Sequence, residues 1–328
     1  MMRRVWLLLV LIALCGARAD AYSHFGTGVG TVRVHWDPPL ARWFVTNRSA
    51  PGVSVNDLQS ALQRAFQTWQ DVPTASIEFS FAGITPVEPF EDDNLSVIGF
   101  QDHPDMERVL GATTFLFDET TGVLVEADIF FNSAFEWSTA DGGESNRFDL
   151  ESVAVHEIGH FLGLGHSAIG ETELLAEGGR RVLGSGAVMF PIALGRGSIA
   201  DRVLQPDDIA GVSDLYPASR FEESTGGVRG RVRKGGTPVL GAHVVAFNVR
   251  TRTLVGGFAL GADGDFQILG LQPGPHVLRV EPLDDADIDS FFDLENVDID
   301  FRVTYAPRLA VAPSGGVGPR MDITVQPK

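Results

Sequence analysis

The segment HEIGHFLGLGH, residues 156–166, decides which fold to expect. On an α-helix, residues four apart are separated by about 6 Å along the axis and about 40° around it, so His156 and His160 face the same side. Gly163 can adopt a backbone conformation that is costly for other residues, and this allows the chain to return His166 toward the same point. The segment therefore predicts a helix that ends near residue 162 and three imidazoles around one centre.

These three imidazoles match the ligand set of a catalytic zinc ion, which leaves a fourth tetrahedral position for water. Glu157 is placed to take the proton of that water, whose pKa zinc lowers toward about 7, and then to pass it to a leaving amine. The first five residues alone also occur by chance on helices, but Gly163 and His166 extend them. We predict one catalytic Zn²⁺, with His156, His160 and His166 as ligands and Glu157 as the general base of peptide hydrolysis.

The residues around this segment predict an α+β fold, a mixed twisted sheet with three main helices, one of which is the active-site helix. The helices are expected at Val55–Trp69, at Leu150–Leu162 with Asp149 as its cap, and from Pro206 onward. Strands are predicted at Val32–Trp36, Ile77–Phe81, Leu95–Phe100, Leu110–Phe117 and Val123–Phe131.

The texture of the sequence changes after Pro217, where short alternating runs are separated by glycine and proline. This pattern predicts an all-β sandwich. Its strands are expected at Val228–Val232, His243–Asn248, Leu254–Leu260, Phe266–Leu269, His276–Val280 and Asp322–Val325, with a solvated acidic loop at Glu281–Asp300. The expected organisation is a signal peptide at 1–19, a catalytic domain at 20–218, a linker at 219–227 and an accessory domain at 228–328.

The N-terminus has the pattern of a secretory signal peptide: two arginines, ten apolar residues at Val5–Leu14 and a small-residue exit before position 20. Ten apolar residues are too few for a stable membrane span, which needs about 20. We expect a secreted protein, extracellular or periplasmic. Cys15 is the single cysteine, which excludes disulfides and thiolate ligands, and the formal charge of −18 argues against nucleic acid as a partner.

The chain resembles the metzincins and, within them, the matrixins, the family of the matrix metalloproteinases. The resemblance covers roughly residues 28–217, and Ser167 directly after the third histidine is the choice typical of matrixins. Residues 187–191, AVMFP, resemble the Met-turn of that family, which implies that Met189 lies beneath the zinc histidines. The resemblance also implies that Pro191 borders the substrate pocket. It further implies that Gly111, Ala112 and Thr113 lie on an edge strand that pairs with an extended polypeptide substrate.

Several features depart from the matrixins. No histidine lies between His103 and His156, so a second, structural zinc is not expected, and Ca²⁺ remains possible without a located site. A propeptide with a cysteine is not expected, because few residues separate the predicted signal peptide from the first predicted strand and Cys15 is the single cysteine. Residues 171–183 are expected to form an insertion that either tunes specificity or is a plain surface loop. The accessory domain resembles carboxypeptidase-regulatory-like sandwiches, which implies a role in stability or in attachment to a surface or protein ligand.

Two other functions compete with the endopeptidase. The first is a surface binding or adhesion protein whose catalytic domain has degraded, although His156, Glu157, His160 and His166 are all retained. The second is a zinc amidase that acts on a cell-wall peptide, since the same chemistry serves both substrates.

Overall fold

A computed structural model describes residues 2–5, 24–26, 32–175, 180–283 and 297–328. In the front part of the chain, three α-helices accompany a six-stranded mixed sheet with the strand order β1-β5-β6-β4-β2-β3. The helices are α1 (Val55–Gln70), α2 (Leu150–Phe161) and α3 (Pro206–Leu215). The strands are β1 (Met2–Val5), β2 (Leu40–Thr46), β3 (Glu78–Thr85), β4 (Val97–Gln101), β5 (Gly111–Asp118) and β6 (Leu124–Asn132).

The small elements of the front part lie in its connections. β7 (Trp137–Ser138) and β8 (Phe148–Asp149) form a parallel pair, and β9 (Gly170–Leu174) and β10 (Arg180–Ser185) form an antiparallel pair. The β9–β10 pair lies in the predicted insertion, of which residues 176–179 are outside the described residues. A 3-10 helix (Ala200–Arg202) precedes α3, and the short helix α4 (Phe221–Ser224) follows it.

The predicted mixed sheet is confirmed, with one strand misplaced. Val32–Trp36 is not a strand, because Arg33 and His35 make only isolated bridges to Gly26 and Val123. The strand lies instead at β2, where Ala41, Trp43 and Val45 are buried and alternate with more exposed neighbours.

Helices α1 and α2 pack against each other in the core of the front part. The side chain of Ser54 caps α1, and the Asp149 carboxylate caps α2 by accepting a hydrogen bond from the backbone N–H of Ser152, 2.9 Å away. The indole Nε1–H of Trp69 on α1 donates to the carbonyl of Val155 on α2 at 2.8 Å. These contacts fix the orientation of α2, which carries the first two histidines of the candidate site.

The C-terminal part contains two sheets that share a hydrophobic cluster. The first comprises β11 (Gly226–Lys234), β12 (Thr237–Pro238), β15 (Asp265–Leu271) and β19 (Met321–Val325). The second comprises β13 (His243–Asn248), β14 (Leu254–Phe258), β16 (Gly274–Glu281), β17 (Thr304–Tyr305) and β18 (Ala310–Ala312). The assignment as a carboxypeptidase-regulatory-like sandwich stays a prediction.

Some predicted boundaries remain open. The predicted linker at 219–227 contains α4 and the start of β11, so the division into domains stays a prediction. Most of the predicted signal peptide, with Cys15, lies outside the described residues, as do residues 284–296 of the acidic loop. Among the described residues, no helix combines the length and the apolar character needed to cross a membrane.

Candidate metal centre

Helix α2 ends where the sequence predicts. Gly163 has φ +101, in the region that favours glycine, and a Cβ at this position would lie 2.2 Å from the carbonyl oxygen of Val34. At this position, any residue type with a side chain would be strained both by the backbone angle and by the contact with Val34. The turn at Gly163 therefore directs the chain back toward α2, and His166 follows three residues later.

The three predicted ligands converge. The ligand atoms of His156, His160 and His166 lie within 4.8 Å of one another, and the two Nε2 atoms of His160 and His166 are 3.2 Å apart. Two nitrogens bound to one tetrahedral zinc ion at about 2.0 to 2.1 Å would be about 3.3 Å apart, so this spacing fits the ion. In the described part of the chain, no other group of three His, Cys, Asp or Glu side chains converges closely enough for a metal. The Ca²⁺ that the sequence leaves open stays a prediction without a located site.

Hydrogen bonds fix two of the rings in the tautomer that a metal requires. The Nδ1–H of His156 donates to the carbonyl of Val188, and that of His160 donates to the carbonyl of Leu164, both at 2.8 Å. Burial lowers the pKa of both imidazoles, which favours the neutral form. A neutral ring that donates through Nδ1 presents the lone pair of Nε2. The donor set therefore fits a zinc ion.

Glu157 lies buried beside this centre. Burial raises the pKa of its carboxyl group to about 7, and a hydrogen bond from the Thr113 hydroxyl to Oε2, at 2.7 Å, works in the opposite direction. Gly111 borders the other oxygen, since a Cβ at this position would lie 3.3 Å from Oε1. Thr113 in β5 thus holds Oε2 of Glu157, and Gly111, which has no side chain, leaves space beside Oε1.

The predicted Met-turn lies under α2. A Cβ on Gly159 would be 2.2 Å from the sulfur of Met189, so the methionine packs where α2 has no side chain. Asp208 on α3 holds this turn, because its carboxylate accepts hydrogen bonds from the backbone N–H groups of Val188 at 2.8 Å and Met189 at 3.0 Å. The Val188 carbonyl of this turn accepts the hydrogen bond from the Nδ1–H of His156.

The hydrogen bonds of Asp208 to the Met-turn could not be predicted from the sequence. Local sequence indicates only that Asp207 and Asp208, as acidic residues in the first turn of α3, suit the positive end of the helix dipole. Asp208 does cap the start of α3 by accepting from the N–H of Gln205. The two carboxylates also bond to residues about 20 to 50 positions away, namely Val188, Met189, Ser167 and Gly256. No local pattern identifies such partners. Two adjacent acidic residues that become buried do, however, require hydrogen-bond donors from elsewhere in the fold.

The predicted substrate residues lie at the same place in the fold. Gly111, Ala112 and Thr113 begin β5, and the hydroxyl of Thr113 bonds to Glu157. Along the outer side of β5, Met2–Val5 pairs antiparallel with Phe115–Asp118, beyond these three residues. Pro191 follows the Met-turn and is partly buried. The contact of these residues with a substrate remains a prediction.

The fold and this site together are compatible with an α+β metallohydrolase domain of the metzincin type. Residues 35–177 match the family model of the matrixins, described as Peptidase_M10. This match contains α2, the three histidines and Glu157. The front part of the chain is thus similar to the catalytic domains of matrixins, and this similarity supports the resemblance seen in its sequence.

Individual relatives agree with the family model. The chain is 34% identical over 180 residues to metalloendoproteinase 1-MMP of Arabidopsis thaliana, which covers 52% of this chain and 41% of that protein. It is 30% identical over 226 residues to metalloendoproteinase 4-MMP of the same plant, with 63% and 57% covered. Interstitial collagenase of Oryctolagus cuniculus is 27% identical over 186 residues, with 56% and 33% covered. The chain thus spans at most about 57% of the length of these relatives.

Proposed function

We propose that the chain is a secreted, zinc-dependent endopeptidase in which His156, His160 and His166 hold the metal and Glu157 is the general base. The convergence of the three imidazoles beside a buried carboxyl group is the observation that carries this proposal. The relatives named as metalloendoproteinases and collagenase support a polypeptide as the substrate. The secreted location rests on the signal-peptide pattern of the sequence.

A zinc ion bound to the three histidines would polarise a substrate carbonyl and increase the acidity of water. Glu157 accepts the proton from the attacking water, for which a pKa near neutrality is suited. Thr113 holds Oε2, so Oε1 is the oxygen that receives the proton. The same oxygen then returns the proton to the departing amine nitrogen, and no covalent link to the protein forms.

The extended substrate would lie along β5. An extended segment of this chain, Met2–Val5, already pairs antiparallel with Phe115–Asp118, which supports the capacity of this strand for β-addition. Gly111, Ala112 and Thr113 continue the same strand toward Glu157. In this arrangement the scissile bond lies beside Gly111, and Pro191 borders the residue just after the cut.

The proposal is tested with purified mature protein and a peptide library, with and without a chelator. We expect cleavage by the wild type with an apolar preference just after the cut, loss of cleavage with the chelator, and none by Glu157→Ala at unchanged zinc content. Cleavage by Glu157→Ala at the wild-type rate would reject the general base. If wild-type protein binds zinc but cleaves only cell-wall peptides, the amidase alternative replaces the endopeptidase. If the wild-type protein cleaves neither kind of substrate but binds a surface ligand, the adhesion alternative replaces the endopeptidase.

A further inference from the structure

The segment directly after the third histidine, residues 167–169, lies between the front part and the C-terminal sheets. On the front side, the backbone N–H of Ser167 donates to the carbonyl of Met189 at 2.8 Å. On the other side, Ala168 packs against a small cluster that contains Phe258 and Leu283 of the C-terminal part. The chain that carries His166 is therefore enclosed from both directions.

One carboxylate joins this segment to the C-terminal sheets. The hydroxyl of Ser167 donates to Oδ2 of Asp207 at 2.6 Å, and the backbone N–H of Gly256 in β14 donates to Oδ1 at 2.7 Å. Asp207 is only 3% exposed, so both hydrogen bonds are shielded from water. Because water cannot replace these partners, the loss of either one leaves a buried polar oxygen of Asp207 without a hydrogen bond, which is costly.

The contact at Gly256 depends on the absence of a side chain. A Cβ at this position would lie 2.7 Å from Nε2 of His243 and 3.1 Å from Cγ1 of Ile169. The backbone of β14 approaches Asp207 in the same place, so any larger residue must displace one of these neighbours. At Gly256, the C-terminal sheets therefore make a close contact with the segment after His166.

Helix α3 provides a rigid base for this contact. Its Val212 belongs to the hydrophobic core of the front part, whereas its Ala210 belongs to the core shared by the two C-terminal sheets. Asp207 at the start of the same helix is therefore fixed relative to both parts. A shift of the C-terminal sheets would move α3 and the segment 167–169 together.

We propose that the C-terminal sheets complete the metal centre by positioning His166, through the hydrogen bonds of Asp207 to Ser167 and Gly256. Asp207 and Gly256 are positioning residues, since neither touches the expected metal. The proposal rests on the proposed zinc site and goes beyond it, because it assigns to the C-terminal part a role in metal affinity. Outer partners of this kind affect the affinity of a site by about 10- to 100-fold.

The test measures the zinc dissociation constant of the full chain by competition with a chelator. Asp207→Ala and Gly256→Ala should each raise it about tenfold or more. Asp207→Asn, whose amide can accept from Gly256 and donate to Ser167, should stay close to the wild type. Ile323→Ala is the matched control, because Ile323 lies in the same C-terminal core but in β19, away from α3 and the segment 167–169. It should lower the melting temperature and leave zinc affinity unchanged.

A second measurement is independent of the metal. Hydrogen exchange of the zinc-free chain should show faster exchange at residues 166–170 in Asp207→Ala and Gly256→Ala than in Ile323→Ala. Ser167→Ala removes the hydrogen bond to Asp207 from the other side and should also speed exchange at residues 166–170. It replaces Asp207→Ala or Gly256→Ala if either of these fails to fold. The proposal is overturned if these variants keep wild-type zinc affinity and exchange, or if Ile323→Ala changes both as strongly. If the wild type itself binds no zinc, the proposed function fails and the exchange data alone decide the positioning role.

Discussion

The two parts of the molecule bury different kinds of polar residues. The front part buries several ionisable side chains, among them Glu157, Asp207 and Asp208. Among the described residues of the C-terminal part, the buried polar side chains are His243, Asn248 and His276, and the carboxylates that pair with its basic residues reach the surface. Burial of a carboxylate is costly unless specific partners hold it, and in the front part backbone N–H groups and hydroxyls supply these partners.

The difference indicates where chemistry occurs and where support is provided. The pKa of Glu157 rises to about 7 through burial beside three converging imidazoles, which no apolar core requires. The C-terminal sheets supply instead an apolar cluster and one backbone N–H, that of Gly256, to the front part. The predictions below challenge this division, beginning with the largest effect.

The largest effect is expected when one histidine in each part is substituted separately. His160→Ala removes a ligand at the centre, so zinc binding should be lost and peptide hydrolysis should fall by at least about 10³-fold. His276→Gln alters a buried histidine in β16, whose ring bonds to the carbonyl of Gly274, and zinc content should not change. Zinc content by elemental analysis and cleavage rates check both. Retention of stoichiometric zinc by His160→Ala would contradict the assigned ligand set.

The next effect concerns stability. Asp208→Ala leaves the buried N–H groups of Val188 and Met189, and the partly buried N–H of Gln205, without their acceptor. We expect the free energy of unfolding to fall by about 2 to 3 kcal/mol. Asn248→Ala is the counterpart in the C-terminal part, where the amide oxygen accepts from Arg250 and Thr251 at a turn, and it should cost about 1 kcal/mol. Denaturant unfolding of both variants measures the difference. Equal losses would mean that the Met-turn is no more dependent on its carboxylate than an ordinary turn.

Much of the site was predictable because it is encoded locally. The spacing of His156 and His160 on one helix and the turn at Gly163 fix most of the geometry within eleven residues. The helices α1 and α2 and the strand β13 also follow from short patterns, since caps and alternation act over a few residues.

The rest depends on contacts between distant residues. Nothing near Asp207 indicates that its partners are Ser167 and Gly256, which lie 40 and 49 positions away. Strand β2 was missed for a related reason: its alternation is clear only once the sheet shows which residues are buried. Tertiary packing, and not local preference, decides such cases.

A third prediction uses pH. Burial and the neighbouring Asp208 charge raise the pKa of Asp207 to about 7, whereas an unfolded aspartate titrates near 3.9. Between these values the folded chain holds a proton that the unfolded chain has lost, so the contribution of Asp207 to stability falls as pH rises from about 4 to about 7. The slope is at most about 1.4 kcal/mol per pH unit. Asp207→Asn should remove this part of the slope in zinc-free protein, as measured by denaturant unfolding at pH 5 and pH 7. A variant that keeps the wild-type slope would show that Asp207 is ionised throughout.

The smallest effect comes from a surface ion pair of the C-terminal part. Lys234 contacts Asp298 at 2.7 Å, with about a fifth of the lysine and a third of the aspartate side chain exposed. Water screens such a pair, so Lys234→Met should lower the free energy of unfolding by less than about 1 kcal/mol. Zinc affinity should be unchanged, because β11 ends far along the chain from Gly256 and makes no hydrogen bond to Asp207 among the described contacts. A change in zinc affinity after this substitution would mean that the whole C-terminal part, and not the contact at Gly256, controls the metal centre.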